Sequence, residues 1–174
     1  PLVWLVIASF DPNASDSLKA PATWSLGNYI SVLTDPDNLK AYWVGFVISF
    51  VESLIVVVLS CMAAYPLSRY KLSYKKVFMN LILFMTALPM IAVIVPVYKM
   101  YLSLGILNTL WGVIMYLTAS SLPYGLWLMK NFMDAVPREL EEAAWMDGAT
   151  TLRSIVNIIL PLMFPGICTV FIYT

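Results

Sequence analysis

Three stretches of this sequence, 41–68, 77–98 and 110–129, hold a single Asp, Glu, Lys or Arg between them, Glu52. Each is about as long as the roughly 20 helical residues needed to cross the hydrocarbon core of a bilayer. Within that core the backbone must satisfy its own hydrogen bonds, which limits uncharged runs of this length to helices. The chain is therefore expected to be an all-α, polytopic transmembrane helical bundle. Composition agrees: 61% of residues are hydrophobic and 11% charged, more apolar surface than one soluble core of this size can hide. Other classes drop out on simple grounds. There is no His, and Cys61 and Cys168 sit inside apolar segments, so neither a metal site nor a disulfide framework is expected. The formal net charge is zero and no basic stripe with interleaved aromatics appears, which argues against nucleic acid. No GxxxxGK[ST] loop occurs, so the chain is not expected to hold ATP, nor any other cofactor.

The longest charged interval between the apolar runs is PRELEEAAWMDGATTLRSIVNIILP, residues 137–161. Pro137 suits the first turn of a helix, where its missing N–H has no intrahelical partner. Glu139, Glu141 and Glu142 then meet the positive end of the helix dipole. Asp147-Gly148 ends that helix, because Gly accepts the left-handed conformation of a C-terminal cap. Thr150 is positioned to cap a second helix running to Ile159. A short helix–turn–helix lying against the membrane face is predicted. Ala143, Ala144 and Gly148 keep one side small enough for another backbone to approach, and the glutamates supply charge for a basic partner.

Glu142-Ala143-Ala144, three residues, Gly148, nine residues, Ile158, one residue and Leu160-Pro161 resembles the EAA loop of ABC-importer permeases. The resemblance runs along nearly the whole chain and is greatest to the carbohydrate subgroup, of the type of the smaller permease subunit of maltose importers. It implies the type I permease fold, present here as a partial chain, in a multi-pass protein of a bacterial or archaeal plasma membrane. It also implies that the loop is a coupling helix, with Glu141, Glu142, Ala143, Ala144, Gly148, Ile158, Leu160 and Pro161 meeting the groove of a cytoplasmic ATPase dimer. ATP and Mg would reside on that partner, and this subunit would not be an enzyme. The other implied partners are a second permease subunit, an extracytoplasmic solute-binding protein and the lipid bilayer itself.

The rest of the chain fits around those elements. Residues 1–9 are apolar but too few to span, and are read as the outer half of a helix; a short signal-peptide core is disfavoured by the lack of a basic flank. Both ends read as truncated, at Pro1 without Met and at Thr174 inside an apolar run. In 10–40, Pro, Asp and Asn mark turns, while Tyr29, Ile30 and Leu33 suggest a short interfacial helix. Glu52 lies where an ionisable group is costly and faces a bundle interior or a wet cavity. It stands where the family commonly has Asn, and both a structural role between helices and a pathway-lining role stay open. Pro66 marks the end of the first span. Pro89 and Pro96 fall seven apart on nearly one helix face, each able to kink the helix. They are candidates for gating, or ordinary membrane-helix prolines. Residues 99–109 form a brief loop, and 162–174 is too short to cross.

Basic residues set the orientation. Arg69, Lys71, Lys75, Lys76, Lys130, Arg138 and Arg153 fall on one side, and Lys19, Lys40 and Lys99 on the other. Segments 69–76 and 130–160 are thus expected in the cytoplasm, and 10–40 and 99–109 outside. The leading expectation is an importer subunit for a sugar or oligosaccharide. Importers of amino acids, peptides or ions, an intramembrane enzyme and a membrane scaffold are the alternatives; the enzyme suffers because the spans offer only Glu52 with scattered Ser, Thr and Tyr. The topology is testable: in a background lacking Cys61 and Cys168, cysteines at Ser73 and Thr151 should react with an impermeant thiol reagent only from the cytoplasmic side. Labelling of either in intact cells would reverse the orientation.

Overall fold

The computed structural model describes residues 2–14, 21 and 23–174. The expected DPNASD turn runs partly, and Lys19 entirely, outside the described residues. Every regular element among them is helical: α1 Leu2–Ser9, α2 Gly27–Thr34, α3 Pro36–Arg69, α4 Lys75–Thr86, α5 Met90–Leu104, α6 Leu110–Ala135, α7 Glu139–Met146, α8 Thr151–Ser154, α9 Leu160–Leu162 and α10 Phe164–Tyr173, with a π-helical segment Ile155–Ile159 between α8 and α9. The chain divides into two compact units, Pro1–Val47 and Ile48–Thr174.

In the first unit, the expected interfacial helix is α2. Asn28 ties it to the end of α1, its Nδ2 donating to the carbonyl oxygens of Ser9 (3.3 Å) and Asp11 (3.0 Å). The Tyr29 hydroxyl donates to Ser9 Oγ at 2.7 Å, and the Phe10 ring lies 5.4 Å from that of Tyr29.

The second unit is built on one stripe of α3. Glu52, Ser53, Val56, Val57, Ser60, Ala64, Leu67 and Ser68 are its buried residues, recurring at the three-to-four-residue spacing of a single helix face. The opposite face carries Leu54, Val58, Leu59 and Met62, all exposed. Glu52 and three serines face in among Val56, Val57, Ala64 and Leu67, while the outward face is wholly apolar there, unlike that of a water-soluble helix. Such a helix suits a lipid solvent, in which close approach of small residues holds helices together. Gly125 of α6 completes the contact. A Cβ there would lie 2.8 Å from Val56 Cγ1, 3.3 Å from Ser60 Oγ and 3.5 Å from Val170 Cγ1 of α10. The helices α3, α6 and α10 thus meet at a residue with no side chain, and α4 packs on α6 as well.

Among the described residues only α3 is by itself long and apolar enough to cross a membrane; two bent pairs would bring the number to three. The expected span 41–68 lies within it, extended at both ends, and Pro66 sits inside its last turn. Within the expected span 77–98 the helix is broken rather than kinked: Lys75–Thr86 and Ile91–Leu104 meet at 93°. Pro89 is the cause. It has no N–H to give to the preceding turn, its ring disfavours helical geometry at Leu88, and it is itself extended with ψ 128. Pro89 therefore precedes α5 while Pro96 lies inside it, and they do not mark one face of one helix. Lys99 is helical too, because α5 continues until Gly105 at φ 67, so the expected 99–109 loop shrinks to 105–109. The stretch 110–129 lies in the 26-residue α6, which has the length to cross but is not among the candidate spans. Gly112, Thr118, Ser120, Ser121, Pro123 and Gly125 dilute its apolar content. Beyond Thr150 the expected single helix is α8, the π segment and α9, bent by 68° from α10.

Because three helices converge at Gly125, Gly125→Leu should lower thermal stability in detergent, by about 1–3 kcal/mol for an overpacked site. Gly45→Ala makes the control, since a Cβ at Gly45 meets nothing within 4 Å. Equal melting temperatures for the two variants would refute the packing assignment.

Candidate functional site

The contacts of Gly125 with Val56 and Ser60, and of Asp134 with Ser68, set α3 and α6 parallel. Both therefore end at the same level, at Arg69 and Ala135. A helix C-terminus leaves carbonyl oxygens without intrahelical donors and carries the negative end of its dipole. Here two such ends lie side by side.

Two arginines answer them reciprocally. Arg69, from the end of α3, donates through Nη1 to Met133 O and through Nη2 to Val136 O, each at 3.2 Å, at the end of α6. Arg138, just beyond α6, donates through Nη2 to Ser68 O at the end of α3. The Ser68 hydroxyl donates to Asp134 Oδ1 at 2.6 Å, and Asp134 pairs with Lys130 one turn earlier. Asp134 lies beyond the apolar stretch 110–129. Partial burial alone would raise its pKa, but hydrogen bonds from Lys130 and Ser68, with the charges of Lys130 and Lys75, bring it below the ordinary carboxylate value.

Glu141 of α7 closes the assembly. Its Oε1 pairs with Arg69 Nε, and its Oε2 accepts from the Tyr65 hydroxyl at 3.2 Å. The Arg69 and Glu141 side chains are 7% and 2% exposed. A pair so deeply desolvated tolerates loss of one member badly, because the survivor is a buried, uncompensated charge.

The loop itself is ordered by its caps. Arg138 is the N-cap of α7, so Pro137 stands just before the helix rather than in its first turn as expected. The expected turn forms at Gly148, at φ 83. Gly148 N donates to Trp145 O (3.0 Å) and Ala149 N to Ala144 O (2.9 Å), the two bonds of a Schellman cap. Thr150 caps α8, its hydroxyl accepting from Arg153 N at 3.3 Å. Around α7 the small-faced side divides: Glu141 and Ala144 are buried, while Glu142, Ala143 and Gly148 are exposed together with Trp145 and Met146. Ile158 and Leu160 are half-buried and Pro161 is exposed. Their neighbours Ile159 and Met163, which the motif does not mark, are the buried members.

Glu52 lies far along α3 from this site. It is buried, and Oε1 has no hydrogen-bond partner among the described residues, as is true of Ser60 Oγ and Thr118 Oγ1. Pro89 and Pro96 are exposed on this chain. Sequence reasoning missed Tyr65, Ser68 and Arg138 as site residues and counted Arg69 only as a charge that sets topology. Arg69 at the last position of a long helix, with a glutamate-rich loop elsewhere in the chain, was the available signal. The two adjacent glutamates should separate cleanly by stability. Glu141→Ala should cost about 3–5 kcal/mol as a broken buried pair, and Glu142→Ala should stay within about 0.5 kcal/mol as a surface change. Thermal unfolding in detergent measures both, and equal losses would contradict the burial assigned to Glu141.

Residues 56–174 match the family described as "binding-protein-dependent transport system inner membrane component". A sulfoquinovosyl glycerol transport system permease protein of Agrobacterium fabrum is 28% identical over 97% of this chain and 61% of its own length. A diacetylchitobiose uptake system permease protein of Streptomyces coelicolor is 30% identical over 99% and 58%, and a trehalose/maltose transport system permease protein of Thermococcus litoralis 30% over 96% and 62%. The chain thus spans about three fifths of the length of these relatives. In fold it is similar to a chain in the crystal structure of a bacterial ABC transporter involved in the import of the acidic polysaccharide alginate, with a TM-score of 0.69 and 24% identity over 99% of this chain and 62% of that one. With the matched region covering most of its length, the chain belongs to the binding-protein-dependent transport system inner membrane components.

Proposed function

We propose that this chain is the transmembrane permease subunit of an ATP-driven importer that moves a sugar or oligosaccharide from an extracytoplasmic binding protein into the cytoplasm. The observation that carries the proposal is the two-sided character of α7, within a chain of this family. One side is tied into the ends of α3 and α6 through Glu141; the other presents Glu142, Ala143, Trp145 and Met146 outward. A short helix gripped from within, with a charge and large apolar side chains on its outer side, is suited to being pushed by a second protein. Met146, at 88% exposure, is a large apolar side chain that water does not favour and a groove would cover.

The protein's location is the inner membrane, as its family is described. In the proposed mechanism the loop at 137–161 faces the cytoplasm, with the basic residues of 69–76. There it meets an ATPase dimer, which carries the ATP and Mg, and a second permease subunit shares the translocation path. Closure of the ATPases on ATP moves α7, and the helices rock as rigid bodies between inward- and outward-facing arrangements. This subunit performs no chemistry on its solute. The sugar class is supported by the relatives, whose names include a sulfoquinovosyl glycerol, a diacetylchitobiose and a trehalose/maltose system.

Two substitutions test the reading in the assembled transporter. Glu142→Lys reverses an exposed charge on the outward side and should weaken ATPase docking. Gly148→Pro places a ring restricted to φ near −65° where φ is 83, so the turn that presents α7 should fail. Both variants should insert normally, because the apolar spans are unchanged. Uptake and binding-protein-stimulated ATP hydrolysis should fall by roughly tenfold or more, the scale of a lost coupling of 1–3 kcal/mol. Normal docking, hydrolysis and sugar uptake in both would defeat the coupling assignment.

A further inference from the structure

A helix that receives a push must pass it on. The elements α8 and the π segment that pack on α7 come directly after it in sequence. Beside the contact of Arg138 with Ser68 O, the link of α7 to α3 is made by Glu141, which reaches Arg69 and Tyr65, residues more than seventy positions earlier. Arg69 in turn holds two carbonyl oxygens at the end of α6. Apolar contact resists compression but slides under shear and parts under tension. A buried ion pair resists all three, since parting would strand two charges in a desolvated site. Tyr65 and the backbone acceptors add direction, fixing the guanidinium plane and both carboxylate oxygens.

On the importer reading, we infer that Arg69 and Glu141 are positioning residues that lock the ends of α3, α6 and α7 into one body, and that this pair stays closed throughout the transport cycle. The inference deepens that reading by assigning the intramolecular route from the displayed helix to the helices that move. Among the described residues, the hydrogen bonds of this clamp join α3, α6 and α7, and none reaches α5.

The test uses the full complex in liposomes, with binding protein outside and ATP inside, in a background lacking Cys61 and Cys168. Arg69→Cys with Glu141→Cys removes the pair, and a short reversible bis-methanethiosulfonate linker restores a tie of comparable reach. Without linker, assembled complexes should hydrolyse ATP but take up about tenfold less sugar per ATP, as expected for a lost coupling. Linking assembled complexes should return most of that ratio, and reductant should abolish it again. A role in folding alone would not respond to linking after assembly. Uptake that stays arrested on linking means the pair must open, and overturns the inference; so does normal uptake per ATP in the unlinked variant. If the double variant does not assemble, Glu141→Gln decides, since it keeps the shape and the hydrogen bond from Tyr65 but not the charge. An assembled Glu141→Gln complex with unchanged uptake per ATP overturns the inference, and a roughly tenfold drop sustains it. Absence of stimulated hydrolysis and uptake in the unaltered complex would instead sink the importer reading, and the clamp with it.

Discussion

Two parallel helices that end at one level present a problem that antiparallel neighbours avoid. Their unpaired carbonyls and the negative ends of their dipoles lie together, next to the place where the chain must leave the apolar phase. The guanidinium of Arg69 is well matched to this, because its donors form a rigid planar fork that can serve several acceptors at once. It directs Nη1 and Nη2 to α6 and Nε to Glu141. Lysine, a point charge on a flexible stem, would meet the dipoles but not the geometry. Arg138 supplies the reverse contact to Ser68 O, so each helix end is capped by an arginine from the other element's side of the junction.

Once the cation is buried there, an anion must accompany it, and that requirement selects the conformation of the chain beyond α6. Glu141 can reach Arg69 only if α7 lies across the helix ends. The carboxylate thus orients α7 as well as neutralising the charge. The lone carboxylate Glu52 shows the contrast. It is buried in α3 without a partner for Oε1 among the described residues.

How much of this was legible in the sequence varies with the range of the interaction. Features decided within a few residues could be read directly: the helical character of 41–68, the short helix at Tyr29–Leu33, the left-handed turn at Gly148 and the cap at Thr150. Pro89 was legible as a disturbance but not in its extent. A proline removes one hydrogen bond whether the helix bends slightly or ends, and surrounding packing decides between them. For Pro96 and Pro123 the helix continues; at Pro89 it does not. The clamp was illegible for a different reason. Arg69 and Glu141 are far apart in sequence, and Arg69 already had a sufficient local explanation in the positive charge of its loop. Periodicity assigns faces within a helix, but only the parallel arrangement of α3 and α6 brings these two residues together.

Glu141 and Glu142 show how narrow that limit is. They are adjacent, chemically identical and equally favoured by the dipole at the start of α7, so no local argument ranks them. A helix turns by about 100° per residue, which is enough to send one into the junction and leave the other exposed. Which one goes in depends on the phase of α7, and that phase is held at both ends. Arg138 anchors the start on Ser68 O, and the Schellman cap at Gly148 fixes the end. A one-residue shift of the anchors would bring either Glu142 or Leu140 to the place of Glu141, according to its direction. The glycine turn therefore does more than reverse the chain: together with Arg138 it decides which carboxylate faces Arg69 and which remains available to a partner.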